Sequence, residues 1–328
     1  MEGHGTVVRD PDKTLYNANE EVQLTANPSS GWSFSHWSGD HSGSDNPTTI
    51  TMNENKTITA HFVIYLLDVD SGLTSPTGEY RWLDVANQQY STTYRNSYNY
   101  TQATVSVVYD TQGTTLTGTL QAINLKPNFA YQLKLVGTSG TDANENIGLA
   151  GRWWQEEWNG TAWTNGQNLN DKGNGSSPNP NDLVYFSRCN ITDATSPTGL
   201  HYKYTGYLLF DYFITTEEGT ANIPFETGSC YHVLWKTTQR TRTTDDGPIE
   251  TTTFTASTSS PAYDINYPEQ TVDIFGEWER LPMGNVNLPA DEYVVQLMLT
   301  EESFHGDGGQ YAGNWAAAMG ATIQFNNE

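Results

Sequence analysis

The sequence has 328 residues and a formal net charge of −23, from 15 Lys and Arg against 38 Asp and Glu. A chain this acidic lacks the basic patches that displace counterions from nucleic acid, and anionic membrane surfaces repel it. Only 16% of the residues are charged, while 12% are aromatic. These values exclude a charged disordered chain and a coiled-coil protein, and the abundant strand-forming and turn-forming residues predict an almost entirely β protein.

No stretch approaches the roughly 18 consecutive apolar residues of a membrane span. Residues 1–5 do not begin with the charged and then apolar pattern of a secretion signal. We therefore expect a mature or excised piece of an exported protein, extracellular or at the cell surface. We expect no membrane insertion and no nucleic-acid partner.

The N-terminal part of the chain alternates apolar and polar residues with a period of two, which predicts β-strands. Turn residues recur about every 8 to 12 positions, a spacing typical of all-β domains. The predicted strands lie at residues 5–8, 22–26, 32–37, 48–52 and 56–62. This pattern predicts a small β module at residues 1–63.

Four segments of this module carry a family resemblance: YNANEEVQLTA at 16–26, GWSFSHWSGD at 31–40, NPTTITM at 46–52 and NKTITAHF at 55–62. In order and spacing, residues 3–63 resemble the bacterial surface repeat family related to the internalin-type B repeat. The resemblance implies surface display, spacing and adhesion, and it implies no catalysis. The family's first strand normally begins several residues before Gly3, and here it is cut short. Either the edge of the module is open or the natural protein continues upstream.

From residue 64 onward the period of two continues. The predicted strands lie at residues 64–69, 104–109, 117–123, 131–136, 183–189, 202–214, 231–235, 272–278, 293–299 and 321–325. Their number and spacing predict antiparallel β-sandwich architecture. No helix-length pattern with a period of 3.6 residues is visible.

Three tyrosines occupy positions typical of a tyrosine corner, in which the Tyr hydroxyl bonds to the backbone a few residues upstream. They are Tyr131, Tyr293 and, more weakly, Tyr231. Through them, residues 64–328 weakly resemble fibronectin type III and immunoglobulin-like β-sandwiches. Corners in both halves favour two sandwiches, at 64–195 and 196–328, over one large sandwich at 64–328. The predicted fold class is therefore all-β, a small β repeat module followed by one or two antiparallel β-sandwich domains.

Four tryptophans lie within eleven residues, Trp153, Trp154, Trp158 and Trp163. Exposed indole faces stack on sugar rings, and the neighbouring Gln, Glu and Asn side chains bond hydroxyl groups. Tryptophan also covers β-sandwiches and fills subunit interfaces. The cluster is therefore a candidate carbohydrate-binding site or a candidate interface.

A polar segment downstream is rich in oxygen ligands of the kind that calcium requires. Its candidate ligands are Asn168, Asn170, Asp171, Asn174 and Asp182. The spacing does not match an EF-hand, and Asn and Asp also favour turns for local reasons. Calcium is the one cofactor that the sequence leaves open.

Five sequons mark candidate glycosylation sites, at Asn55, Asn99, Asn159, Asn174 and Asn190. A chain this rich in Ser, Thr and Asn contains about that many by chance. Sequons therefore permit glycosylation without arguing for it.

The two cysteines, Cys189 and Cys230, lie in segments with a strand-like pattern. In an exported protein they could form a disulfide, remain as two buried thiols, or supply half of a metal site. No Cys-x-x-Cys pair or suitably spaced His supports the metal site. The other two alternatives stay open.

The sequence contains no metalloprotease, serine-hydrolase or phosphate-loop motif. Paired carboxylates occur at Glu156–Glu157 and at Glu301–Glu302. A glycosidase needs two carboxylates roughly 5 to 10 Å apart across a cleft. Adjacent strand residues point to opposite faces, so neither doublet forms such a pair by itself.

The leading hypothesis is a non-catalytic extracellular structural or adhesive surface protein. Its sharper form is a self-assembling filament or sheath subunit, in which the shortened first strand leaves an edge that pairs with another copy. A carbohydrate-binding module is the alternative, and a secreted glycoside hydrolase is a third. The expected partners are further copies of the chain, as a homo-oligomer or polymer, or a glycan.

Overall fold

A computed structural model describes residues 1–69, 80–164, 166–169, 180–228, 230–237, 249–278, 288–302 and 316–328. About 52% of the chain is strand and 10% is helix. The predicted all-β fold class is confirmed, with the repeat module at its N-terminus.

The strands follow the segments in which apolar and polar residues alternate. Those of the module and its extension are β1 Gly5–Asp10, β2 Glu20–Pro28, β3 Ser33–Gly39, β4 Thr48–Met52 and β5 Ile58–Asp68. Next come β6 Thr104–Tyr109, β7 Gln112–Gly113, β8 Thr117–Ile123, β9 Ala130–Val136, β10 Arg152–Glu157, β11 Gln167–Asn168 and β12 Tyr202–Ile214. The last are β13 Ala221–Glu226, β14 Tyr231–Lys236, β15 Glu250–Ala256, β16 Tyr267–Trp278, β17 Asp291–Glu301 and β18 Ala316–Asn327.

The N-terminal module is a small two-layer structure. Its layers are the sheet β1-β2-β4 and the pair β3-β5. The apolar positions of these strands face one another as one cluster, formed by Val22, Leu24, Ala26, Trp37, Ile50, Ala60 and Phe62. Trp37 is 1% exposed, and its indole N–H donates to the carbonyl of Asp45 at 2.9 Å.

Strand β5 joins the module to the rest of the protein without a linker. Its first half pairs with β3, its second half with β6, and its end with β18. On one face of the strand, Ala60 and Phe62 enter the module core, and Ile64 and Leu66 enter the core of the larger part. The orientation of the module is therefore set by the same strand that begins the sandwich.

The large sheet contains strands from both halves of residues 64–328. Its order is β11-β10-β12-β9-β17-β18-β5-β6-β8-β13. Strand β9 pairs with β12 on one side and with β17 on the other. Strands of the intervals 64–195 and 196–328 therefore interleave in one sheet, and a division between residues 195 and 196 would cut both pairings.

A three-stranded sheet, β14-β16-β15, packs against the large sheet. Side chains of both sheets belong to one hydrophobic cluster that extends from Ile64 to Phe325. Gln132 of β9 ties the layers together, because its side-chain Oε1 accepts from the backbone N–H of Val233 at 3.3 Å and its Nε2 donates to the carbonyl of Tyr231. Residues 64–328 thus share one core.

The described residues also contain short helices that the sequence pattern did not predict. They are α1 Thr92–Ser97, α2 Asp142–Ala150 and α3 Pro180–Arg188, with two 3-10 turns at Tyr80–Trp82 and Tyr100–Gln102. The strand predicted at 183–189 is wrong, because α3 occupies most of this segment. Its buried face is formed by Asp182 and Tyr185, three residues apart, as a helix requires. None of the described helices is long and apolar enough to cross a membrane.

Two of the predicted tyrosine corners have the expected hydrogen bond. The hydroxyl oxygen of Tyr131 accepts from the backbone N–H of Lys126 at 3.1 Å. The hydroxyl of Tyr293 donates to the carbonyl of Pro289 at 2.9 Å. In each case the bond fixes the loop that leads into a central strand of the large sheet.

We expect Tyr131→Phe to lower the free energy of unfolding by about 1 to 3 kcal/mol, because it leaves the Lys126 N–H buried without its acceptor. Tyr131 is 0% exposed, and its hydroxyl also lies 3.0 Å from that of Tyr100. Urea unfolding followed by fluorescence measures the change. The control is Tyr65→Phe, at a tyrosine that is 38% exposed, and an equal loss in both variants would contradict the prediction.

Candidate functional site

The junction between the module and the sandwich is built around Trp32, which precedes β3. The indole ring lies 5.0 Å from the ring of His4 and 5.0 Å from that of Tyr109 on β6. Trp32 packs against both the module core and the sandwich core. One side chain therefore seals the contact between the two parts.

Polar contacts reinforce the same junction. His4 Nε2 lies 3.1 Å from the hydroxyl of Thr111, which follows β6. Residue Glu2 pairs with His61 of β5 in a short parallel bridge, and its carboxylate lies 2.8 Å from the Nδ1 atom of His61. The N-terminal residues Glu2 and His4 thus bind β5 and the segment after β6, which belong to the junction.

Glu301, the first residue of the doublet Glu301–Glu302, is a buried structural charge. It is 0% exposed at the end of β17. Its carboxylate accepts from Arg81 Nε at 2.6 Å, from Lys126 Nζ at 2.7 Å and from the hydroxyl of Tyr100 at 2.6 Å. Burial alone would raise the pKa of this carboxyl, but Lys126 and Arg81 outweigh it and hold the pKa below its usual range.

Its neighbour Glu302 belongs to a different group of side chains. The Oε1 atom of Glu302 lies 3.2 Å from Lys134 Nζ and 2.9 Å from the hydroxyl of Thr300. The second doublet separates in the same way, since Glu156 pairs with Lys203 at 2.6 Å and Glu157 with His201 at 2.9 Å. The carboxylates within each doublet have different partners, in agreement with the strand geometry expected from the sequence.

A third buried carboxylate, Asp84, was not identified from the sequence. It is 0% exposed, and its oxygens accept from the hydroxyls of Tyr263 and Tyr267 at 2.8 and 2.7 Å and from the Gln88 N–H at 2.8 Å. Burial raises its pKa to about 6, although these hydrogen bonds oppose the shift. Asp84 fastens the segment after the 3-10 turn Tyr80–Trp82 to the β15–β16 connection.

Two of the four tryptophans of the cluster, Trp153 and Trp158, are buried. Trp153 is 0% exposed, stacks on Tyr185 at 3.9 Å and donates its indole N–H to Asp182 at 3.1 Å. Trp158 is 8% exposed and donates to the hydroxyl of Thr195 at 3.0 Å. Neither ring has a free face for a sugar. The prediction of a sugar site formed by all four tryptophans is therefore wrong for Trp153 and Trp158.

The two remaining rings are half-buried. Trp154 packs against the main core, and the backbone of Gly166 crosses close to its indole nitrogen. Trp163 meets Trp158 edge to face at 5.4 Å and lies 5.8 Å from Lys203 Nζ. Unlike Trp154, Trp163 is not among the side chains that pack against the main core.

A charged group lies beside this cluster at the surface. His201 Nε2 lies 2.9 Å from the Glu157 carboxylate, and its Nδ1 lies 3.2 Å from the Asp193 carboxylate. Hydrogen bonds to Glu157 and then to Asp193 raise the pKa of the His201 imidazole. Both ring nitrogens of His201 therefore lie next to carboxylates. These contacts link the end of β10, next to Trp158, to the segment that contains Asp193.

The calcium candidates are only partly described. Asn170, Asp171 and Asn174 lie outside the described residues, and Asn168 belongs to β11. Asp182 is 7% exposed, and its carboxylate is engaged by Trp153. Among the residues that the structure describes, no group of three or more His, Cys, Asp or Glu side chains could hold a metal ion. Calcium binding stays a prediction.

Four of the five sequon asparagines lie on the surface, Asn55, Asn99, Asn159 and Asn190, while Asn174 is outside the described residues. Asn99 and Asn159 accept hydrogen bonds from the backbone N–H groups of Thr101 and Thr161. The cysteines are not joined by a disulfide. Cys189 packs near Trp153 after α3, and Cys230 is buried in the main core, which corrects the disulfide alternative.

The comparisons with known proteins concern the module. Residues 1–64 match the family model described as the divergent InlB B-repeat domain. This match confirms the resemblance to the internalin-type B repeat, and repeats of this family are typical of bacterial surface proteins. No curated protein and no solved structure matches the chain.

We expect Glu301→Gln to lower the free energy of unfolding by about 3 to 5 kcal/mol, because it removes the negative charge that two buried cations face. The matched control is Glu292→Gln on the same strand, where the side chain is exposed, with a change of less than about 0.5 kcal/mol. Chemical unfolding of the three proteins at neutral pH gives both values. Equal stability of the two variants would overturn the structural role of Glu301.

The raised pKa of Asp84 predicts that its contribution to the free energy of unfolding, a stability term, depends on pH. Because its folded pKa, about 6, exceeds the ordinary value of 3.8, this term is fully present below pH 3.8 and is lost as the pH rises through 6. Relative to Asp84→Asn, the native protein should gain on the order of 3 kcal/mol between pH 7 and pH 4. Unfolding at several pH values measures the difference. A pH-independent difference would contradict the prediction, and Glu218→Gln, at an exposed carboxylate, serves as the control.

Proposed function

We propose that this protein is a non-catalytic structural and adhesive component of a bacterial surface. The observation that carries the proposal is strand β5, which runs from the module matched by the B-repeat family directly into the sandwich core. A shared strand and the Trp32 contact hold the two parts in one orientation. A rigid connection of this kind suits a spacer that presents the larger sandwich away from the cell.

The placement of the carboxylates supports a role without catalysis. Glu301 is enclosed by Arg81, Lys126 and Tyr100, and Glu302 pairs with Lys134. A glycosidase acid needs a raised pKa and an approach for substrate, whereas Glu301 has a lowered pKa and no exposed surface. Sugar hydrolysis that a folded Glu157→Gln or Glu301→Gln variant loses would contradict this role.

The finer proposal is self-assembly through the edge of the module. In the sheet β1-β2-β4, strand β1 is an edge strand with β2 as its partner among the described residues. Val8 on this strand is 53% exposed. An edge strand offers its backbone groups to a strand from another chain, and repeated contacts between different surfaces build a fibre.

We expect the purified chain to form polymers, and Val8→Lys to shorten or abolish them, because a lysine on an edge strand opposes strand pairing. The matched control is Leu15→Lys, which adds the same charge at a residue that is 86% exposed and lies outside the strands. Light scattering and negative-stain microscopy, with and without millimolar calcium, give the assembly state. A monomer under both conditions, or equal loss in both variants, would rule out assembly through β1.

A further inference from the structure

A cleft of about 370 Å³ lies beside the junction, between the turn that precedes β3 and the surface of β17 and β18. Its lining includes the aromatic residues Trp32, Tyr109 and Phe325. Its wall on the module side includes Ser29 and Ser30, and its wall on the sandwich side includes Thr322 and Gln324. The cleft exists only because the module and the sandwich are held together.

The lining of this cleft is unusual for so acidic a chain. Besides the serines, its polar groups are Thr111, Thr322, Gln324 and Asn326, with the imidazole of His4. None of its described lining residues is Asp, Glu, Lys or Arg, although the whole chain has a net charge of −23. The lining therefore offers no ion pair to a charged ligand and suits a neutral one.

Hydroxyl and amide side chains both donate and accept hydrogen bonds. Sugar hydroxyls do the same, and the C–H face of a sugar ring packs on an aromatic ring. Trp32 is half-buried and lines the cleft, although its ring also packs on His4 and Tyr109. An aromatic surface bordered by neutral amides and hydroxyls is thus matched to a neutral carbohydrate.

The polar side chains on the sandwich side are held in place before a ligand arrives. Thr322 accepts from Gln296 Nε2 at 2.6 Å, and Gln324 Nε2 donates to Glu292 at 2.5 Å. Both lie on β18, which is paired along its length with β17. Groups fixed on a rigid sheet lose little conformational entropy on binding.

We propose that this cleft binds a neutral carbohydrate chain, with Trp32 stacking on one sugar ring and Gln324, Asn326 and Ser30 bonding its hydroxyl groups. The site is separate from the Trp153–Trp163 segment, where the indole rings are largely committed to packing. It goes beyond the structural role proposed above and does not depend on polymer formation.

The test uses the full chain on an array of neutral and acidic oligosaccharides, followed by calorimetry with the neutral hexasaccharide that gives the strongest signal. We expect a neutral glycan to bind. The double variant Gln324→Ala and Asn326→Ala should weaken binding about tenfold or more, through the loss of two hydrogen bonds. Trp32→Ala should abolish it.

Two variants serve as controls. Asn222→Ala removes an exposed amide on β13, and Trp163→Ala removes the most available ring of the tryptophan cluster. Both should bind as the native protein does. Because Trp32 also seals the junction, circular dichroism and the double variant keep loss of binding distinct from loss of fold. The proposal is overturned if no neutral glycan binds, if the double variant binds unchanged, or if Trp163→Ala abolishes binding.

Discussion

One strand that serves two cores is the constraint on which the architecture depends. Along β5, four alternate residues point to the same side, and the first two enter the module core while the next two enter the sandwich core. The strand changes partner from β3 to β6 and then to β18 as it passes from one to the other. The position of Trp32, the fixed angle of the module and the cleft beside it all follow from this continuity.

Inside the sandwich, a second constraint joins segments that are far apart in the chain. Glu301 binds Lys126, 175 residues upstream, and Arg81, 220 residues upstream. Lys126 also lies 4.5 Å from the centres of the Trp82 and Phe129 rings, a cation–π arrangement. Charges removed from water stabilise a fold only with such complete partners, and they disfavour any packing that separates them. Although the chain as a whole is acidic, its interior therefore contains the buried cations Arg81 and Lys126 as partners of Glu301.

Much of the fold was predictable from the sequence, because the alternation of apolar and polar residues reports directly on half-buried strands. Strands β6, β8 and β12 have the predicted bounds. The helices were missed for a local reason: α2 and α3 are short, and their capping signals outweigh strand-like composition. Thr141 caps α2 by accepting from the Asn144 N–H, and α3 begins at Pro180 with Asp182 in its first turn.

The candidate sites were less predictable, because burial and partners come from contacts that are distant in sequence. Nothing in the local sequence marks Asp84 or Trp32 as special.

The continuity of β5 limits how the module could be exchanged between proteins. The usual unit of exchange is a piece whose ends lie in exposed linkers. A cut between residues 63 and 64 would pass through strand β5, so a replacement module would have to end in a strand that runs without a break into residues 64–68.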